Sequence, residues 1–255
     1  MNRRIALTAI AIVTLAVAPR AQVPGATEAS IIKALEGGSL NERATAVAAV
    51  VHARAGPPSG DLIVALANEL SRMNGVVSRR RSPAVAPSGS EWDTAGVGEY
   101  YGDLIQANTL FESDATMIAL TGALQTGRMA TNAVAAYGAS ALPLVMRLFG
   151  DGVADVGERN GAGRAIERML LEGRLDAGLR RQVESLVGAV LARPEHVIVV
   201  MIAVDVAVAT KEPGLMAIVR RLADNPSAAQ LDGRFSDDTR ARGMLQVRAR
   251  KALGR

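Results

Sequence analysis

The chain has no cysteine, two histidines and seven aromatic residues, and each shortage removes a class of chemistry. Without cysteine there is no disulfide, no thiolate nucleophile and no lipoprotein-type lipidation. A chain of 255 residues can nevertheless bury a core large enough to do without bridges, even in an oxidising compartment. His52 and His196 stand far apart, and neither has a second ligand at helical spacing, which excludes a zinc site of the H-E-x-x-H type. A G-x-S-x-G elbow and a phosphate loop are also missing. Gly161-Ala-Gly163 has no third glycine and follows a helical pattern, so it reads as packing. Asp224, Asp232, Asp237 and Asp238 lack the alternation and the closing glutamate of a calcium loop. Where aromatics are scarce, alanine, valine, leucine and glycine dominate. Such small side chains let helices approach closely and suit stacked helices better than a β-sandwich.

Long apolar runs are scarce too. Ile5 to Ala18 is apolar but for Thr8 and Thr14, and as a helix it would reach only about 21 Å, against a hydrocarbon core of about 30 Å. It follows the basic stretch Asn2-Arg3-Arg4 and stops at Pro19 and Arg20, which is the layout of a secretory signal peptide. A signal peptide over residues 1–21 is therefore expected, with an exported mature protein, periplasmic or secreted, that keeps no stable membrane span. The whole chain carries a formal charge of +4. A cut after Ala21 removes Arg3, Arg4 and Arg20 and no acid, leaving a nearly neutral chain without the basic face that nucleic-acid binding requires.

Residues 22–255 read as one all-α domain of twelve short helical segments. The expected spans are 28–36, 39–54, 61–73, 99–111, 115–124, 129–137, 141–149, 153–171, 175–191, 195–209, 214–223 and 238–253. Ser39 with Glu42 predicts a capping box at the second. Residues 195–209 are the ambiguous case: eight of the thirteen residues from Val197 to Ala209 are Val or Ile, which leaves β-structure open, although length and position favour a buried helix. A long loop is expected at 74–98, rich in Pro, Ser and Gly.

A weak repeat links the second helices of successive pairs. Arg43, Ala46, Ala49 and Val50 share their spacing with Arg159, Ala162, Ala165 and Ile166, and Gln246, Ala249, Ala252 and Leu253 keep it with Gln for Arg. The first helices Ala141-Leu-Pro-Leu-Val145 and Glu212-Pro-Gly-Leu-Met216 both carry an early proline, tolerated in a first turn. From Ala162 through Ala203 to Ala249 the intervals are 41 and 46 residues, within the range of HEAT and armadillo repeats. The stretch Tyr137-Gly-Ala-Ser-Ala-Leu-Pro-Leu-Val145, with Arg159 to Ile166, resembles a HEAT repeat of the phycobilisome-lyase-like subtype. The resemblance covers residues 100–255 and, more loosely, 28–73. It implies an α-solenoid of about six stacked helical hairpins. Its motifs carry architecture and no catalytic residue, and nothing in the chain matches a bilin-handling site.

The resulting expectation is an exported protein-binding scaffold with no enzymatic activity of its own, no cofactor and an unidentified protein partner. The second reading is a small-ligand receptor or enzyme. Candidate binding residues are Arg79, Arg80, Arg81 and Trp92 in the expected loop, Tyr100 in the aromatic cluster beside it, and Asp205. Aromatic and arginine side chains are the usual binding anchors. Asp205 interrupts an otherwise apolar segment, where an ionised carboxylate needs a partner. Either it meets an arginine of the next repeat, such as Arg248 or Arg250, or it anchors a ligand in a groove.

Overall fold

The computed structural model describes residues 26–52, 57–81 and 95–254, and these are mostly helical, with short turns between the helices. They form α1 (Glu28–Gly37), α2 (Leu40–His52), α3 (Gly60–Arg81), α4 (Val97–Asn108), α5 (Asp114–Gly122), α6 (Arg128–Ala136), α7 (Leu142–Gly150), α8 (Val156–Leu171), α9 (Ala177–Leu191), α10 (Val197–Thr210), α11 (Pro213–Asp224) and α12 (Thr239–Ala252). Among the described residues the sole β feature is an isolated bridge between Glu195 and Leu231.

Helix boundaries follow local chemistry. Ser39 and Glu42 form the expected capping box, the Ser39 amide donating to Glu42 Oε2 at 2.7 Å and the Glu42 amide to Ser39 Oγ at 3.4 Å. Ser113 with Thr116 makes a second box at α5. Asp155, Asp176 and Asp238 cap α8, α9 and α12, satisfying orphan N–H groups. Pro143 and Pro213 fall in the first turns of α7 and α11.

One boundary departs from expectation. α3 does not stop at Met73 but continues through 74–81, the first part of the expected loop. Asn74-Gly75 looks like a turn dipeptide. Here, however, the Asn74 amide is buried, donating to Ala119 O at 2.8 Å and accepting from the Tyr101 hydroxyl at 2.5 Å. Val76 and Val77 then bury against the core, so tertiary contacts carry the helix past a weak stop. Residues 82–94 of that loop lie outside the described residues, and its last two residues, Val97 and Gly98, are the start of α4. The segment 1–25 that holds the expected signal peptide also lies outside the described residues.

Packing follows a regular order. Each odd-numbered helix packs against the even-numbered helix after it. Each helix also packs against the one two places along: α1 on α3, α3 on α5, and so on to α9 on α11, and likewise from α2 on α4 to α10 on α12. The repeat motif has a physical role at these contacts. Arg43 Nε donates to Gly38 O at 2.8 Å, Arg159 Nε to Phe149 O at 3.1 Å and Gln246 Nε2 to Ala223 O at 3.1 Å. Each side chain thus satisfies a carbonyl at the end of the preceding helix, where the last turn leaves acceptors unpaired. Apart from the half-buried Ala252, the alanines one and two turns further on are buried and allow close approach, Ala162 and Ala165 completely.

α10 resolves the helix-or-strand ambiguity. It packs against α8, α9, α11 and α12. Eleven of its fourteen residues are buried, so a helix apolar on all sides is what its position demands. Gly161 and Gly163 let α8 sit in this crowd: a Cβ on Gly161 would stand 2.3 Å from Leu124 O, and one on Gly163 2.6 Å from Ile202 Cγ1.

This contact makes a sign test. At an unconstrained helix position Gly→Ala stabilises by about 1 kcal/mol. Gly161→Ala should instead lower the unfolding free energy in urea by about 1–3 kcal/mol, because the clash is with backbone. A more stable variant would show that α8 is not seated on the 124–126 turn.

Candidate functional site

An ionised carboxylate is costly to bury unless cations and hydrogen bonds surround it. Among the described residues three carboxylates are buried, Glu69, Glu195 and Asp205, and each is held by at least one arginine from a neighbouring helix. Glu69 of α3 accepts from Arg43 of α2 at 3.2 Å, from Arg72 one turn along at 2.6 Å and from the Tyr100 hydroxyl of α4 at 2.7 Å. Burial and the Glu69 carboxylate both push the Tyr100 phenol above its ordinary range, so it is a fixed donor.

Glu195, just before α10, receives a two-pronged contact from Arg159 at 2.6 and 2.6 Å, and a third bond from Arg193 at 2.7 Å. Arg193 also donates to Gly150 O at 2.6 Å. Burial pushes the Glu195 carboxyl up, but the bonds and charges of Arg159 and Arg193 outweigh it and hold the group below the usual carboxylate range. Glu195 is thus held in its charged form by its arginine partners. Its main chain pairs with Gln230 and Asp232, which ties the irregular segment after α11 to the start of α10.

Asp205, on α10, meets two arginines. Arg248 of α12 donates to both its oxygens, at 2.6 Å through Nε and by a second bond through Nη2. Arg164 of α8 also donates, to Oδ2 at 2.9 Å. The hydrogen bonds from Arg248 to Asp205 raise the guanidinium above its ordinary value. The expected Arg248 contact is present, whereas Arg250 turns to Ala223 O at 3.1 Å. Arg164 was not anticipated, because nothing in the linear order places α8 beside α10.

The Asp205 cluster leads outward through Arg164 to an opening between α6 and α8 with a volume of about 720 Å³. Arg128 of α6 and Arg164 and Arg168 of α8 line it, with Asn132 and Asn160 between them. Arg168 donates to Glu172 at 2.6 Å and also to Asn132. Both polar atoms of the Gln125 amide, on the turn that forms one wall, are buried without a partner among the described residues. Arg164 and Arg168 at i and i+4 were a readable basic pair; their combination with Arg128 depends on α6 packing against α8.

The other sequence candidates fall elsewhere. Tyr100 is 2% exposed and belongs to the Glu69 cluster, with only its edge reaching a smaller opening of about 360 Å³ between α2 and α4. Arg79, Arg80 and Arg81 form the end of α3, not part of a loop, and their side chains lie outside the described residues. Trp92 lies outside them altogether. His196 caps α10, accepting from the Ile198 amide at 3.2 Å, with its ring edge-on to Phe235 at 4.6 Å. Asp238 caps α12 and Asp232 accepts from the Arg234 amide, so these two carboxylates are already engaged locally. No helix among the described residues is long and apolar enough to cross a membrane. Comparison with protein-family models, with curated proteins and with solved structures finds no match to this chain.

The Glu195 cluster sets a pH dependence. Its carboxyl titrates lower in the folded chain than in the unfolded one, near 4.3. The stabilisation is therefore complete above about pH 4.3 and lost as pH falls through the folded value. Glu195→Gln should cost about 3–5 kcal/mol at pH 7, because it leaves buried Arg159 uncompensated, and should flatten the acid limb of a stability–pH curve. An unchanged acid limb would assign it to other carboxylates.

Proposed function

We propose that this protein is an exported, non-enzymatic scaffold that binds another protein along a HEAT-like α-solenoid of six helical hairpins. The observation that carries the reading is the packing order: each hairpin leans on the next, and the even-numbered helices run side by side through the chain. Stacked repeats of this kind expose an extended surface, and binding is its usual use. Two further features support it. The motif residues Arg43, Arg159 and Gln246 do the same structural job in three separate pairs. Polar openings occur between even-numbered helices, one between α2 and α4 and one between α6 and α8. Export rests on the residues of the N-terminal segment alone.

The second reading, a small-ligand receptor, is favoured by the volume of the α6–α8 opening, which lies in the range of about 300–1,000 Å³ common for ligand pockets. A ligand screen that raised the melting temperature, with the shift abolished in Asp205→Ala, would favour it over a scaffold.

Two measurements test the proposal. Affinity capture from an envelope extract followed by cross-linking mass spectrometry should place partner cross-links on the exposed residues of α6, α8 and α12. Cross-links confined to the odd-numbered helices, or no partner in repeated captures, would overturn it. Removal of residues 238–255 should expose the faces of α10 and α11 that α12 covers, lowering stability and raising binding of a hydrophobic dye. A truncated chain as stable as the whole would defeat the solenoid.

A further inference from the structure

The opening between α6 and α8 holds hydrogen-bond donors that the fold leaves unspent. Arg128 is exposed and makes no hydrogen bond or ion pair among the described residues. Arg164 makes both of its ion pairs, to Glu167 and Asp205, through Nη1, which leaves Nε and Nη2 unengaged. Arg168 uses Nε on Glu172 and Nη1 on Asn132, which leaves Nη2. Asn160 is half-buried on the groove wall with its amide unbonded. The Gln125 amide, buried and unpaired, is the kind of orphan that points to a missing partner.

The acids of the groove, Glu167 and Glu172, are already matched to Arg164 and Arg168. What the opening still lacks is a negatively charged acceptor for Arg128 and for the unengaged guanidinium nitrogens of Arg164 and Arg168. Arg164 and Arg168 stand one helical turn apart along α8, with Arg128 on the facing helix, so three cations line one opening together with the side-chain amides of Gln125, Asn132 and Asn160. A group of guanidinium side chains suits a group of carboxylates, each able to take paired N–H donors. Side-chain amides both donate and accept, as a peptide backbone requires. Leu171, 68% exposed at the rim, offers an apolar surface for an aliphatic stem.

We infer that this groove docks an extended acidic segment of the partner protein, with Arg128, Arg164 and Arg168 as its carboxylate anchors. The inference rests on the scaffold reading and adds the chemistry of the partner. It also gives the Asp205 cluster a part: Asp205 holds Arg164 from the buried side, making it a positioning residue for one anchor.

The test uses the full chain and fluorescein-labelled hexaglutamate, which extends about 20 Å, or two spacings between packed helices. Fluorescence anisotropy should show saturable binding of hexaglutamate and none of hexaglutamine, weakening as salt rises. Arg128→Glu and Arg168→Gln should each weaken it about tenfold or more, while Arg220→Glu on the exposed side of α11 should change it less than about twofold. Circular dichroism checks that each variant is folded; Arg168→Gln, which removes only part-exposed contacts, carries the test if Arg128→Glu misfolds.

Absence of saturable binding, equal binding of hexaglutamine, or an equal loss in Arg220→Glu would overturn the inference. Citrate competing as well as hexaglutamate, mole for mole, would also overturn it by making this a small-anion site. The scaffold reading fails separately. A captured partner whose binding ignores Arg128→Glu and Arg168→Gln defeats the acidic groove and leaves the scaffold, whereas hexaglutamate binding with no partner ever captured does the reverse.

Discussion

Arginines that reach from one helix pair to a carboxylate of the next are the constraint on which the order of this fold depends. Arg43 crosses to Glu69, Arg159 to Glu195, and Arg164 of α8 and Arg248 of α12 converge on Asp205. Such buried pairs add little net stability over apolar residues of similar size, since desolvation offsets much of their attraction. Their effect is on alternatives: any sliding of one pair over its neighbour would strand a charge in the interior. The apolar contacts between small side chains are permissive about register, and the ion pairs are not.

The two kinds of contact are coupled. Arg159 caps the end of α7 with one nitrogen and grips Glu195 with two others, so the termination of one helix and the placement of the next pair share a side chain. Arg193 repeats the arrangement from the far side through Gly150 O. Around this point the glycines at 161 and 163 let α8 contact the 124–126 turn and α10 at short range. Close approach raises the cost of any unpaired charge, and the charges in turn hold the helices close. α10 packs against four other helices and is apolar along its length except at Asp205 and the terminal Thr210.

The proposed binding face grows from the same framework. The opening at α6 and α8 is not a separate device added to the surface; its wall residue Arg164 is the outer end of the Asp205 cluster. A ligand group bound to Arg164 would be touching a side chain whose position is set from the core, which limits the ordering cost of binding. Arg128 and Arg168, by contrast, are held by little or by exposed partners and can adapt. A groove with one fixed anchor and two adjustable ones fits an extended segment better than a rigid globular surface.

The amino-acid sequence by itself determined the helical class, the approximate positions of twelve helices among the described residues and the capping box at Ser39, because these depend on side chains within a few residues of one another. Ser39 with Glu42, the early prolines and the Arg-x-x-Ala-x-x-Ala spacing were all readable on that ground. It also exposed Asp205 as a charge in need of a partner, and named Arg248 among two candidates. Tertiary structure decided what local rules could not: that α3 runs past Asn74-Gly75, since the Asn74 amide finds Tyr101 and Ala119 far along the chain; that Tyr100 turns inward to Glu69; and that Arg164 shares Asp205 with Arg248. The group of cations at the candidate site belongs to the same class. Arg128 and Arg164 are separated by the whole of α7 and meet only because α6 packs on α8, and a contact made by packing leaves no periodic trace in the residues that form it.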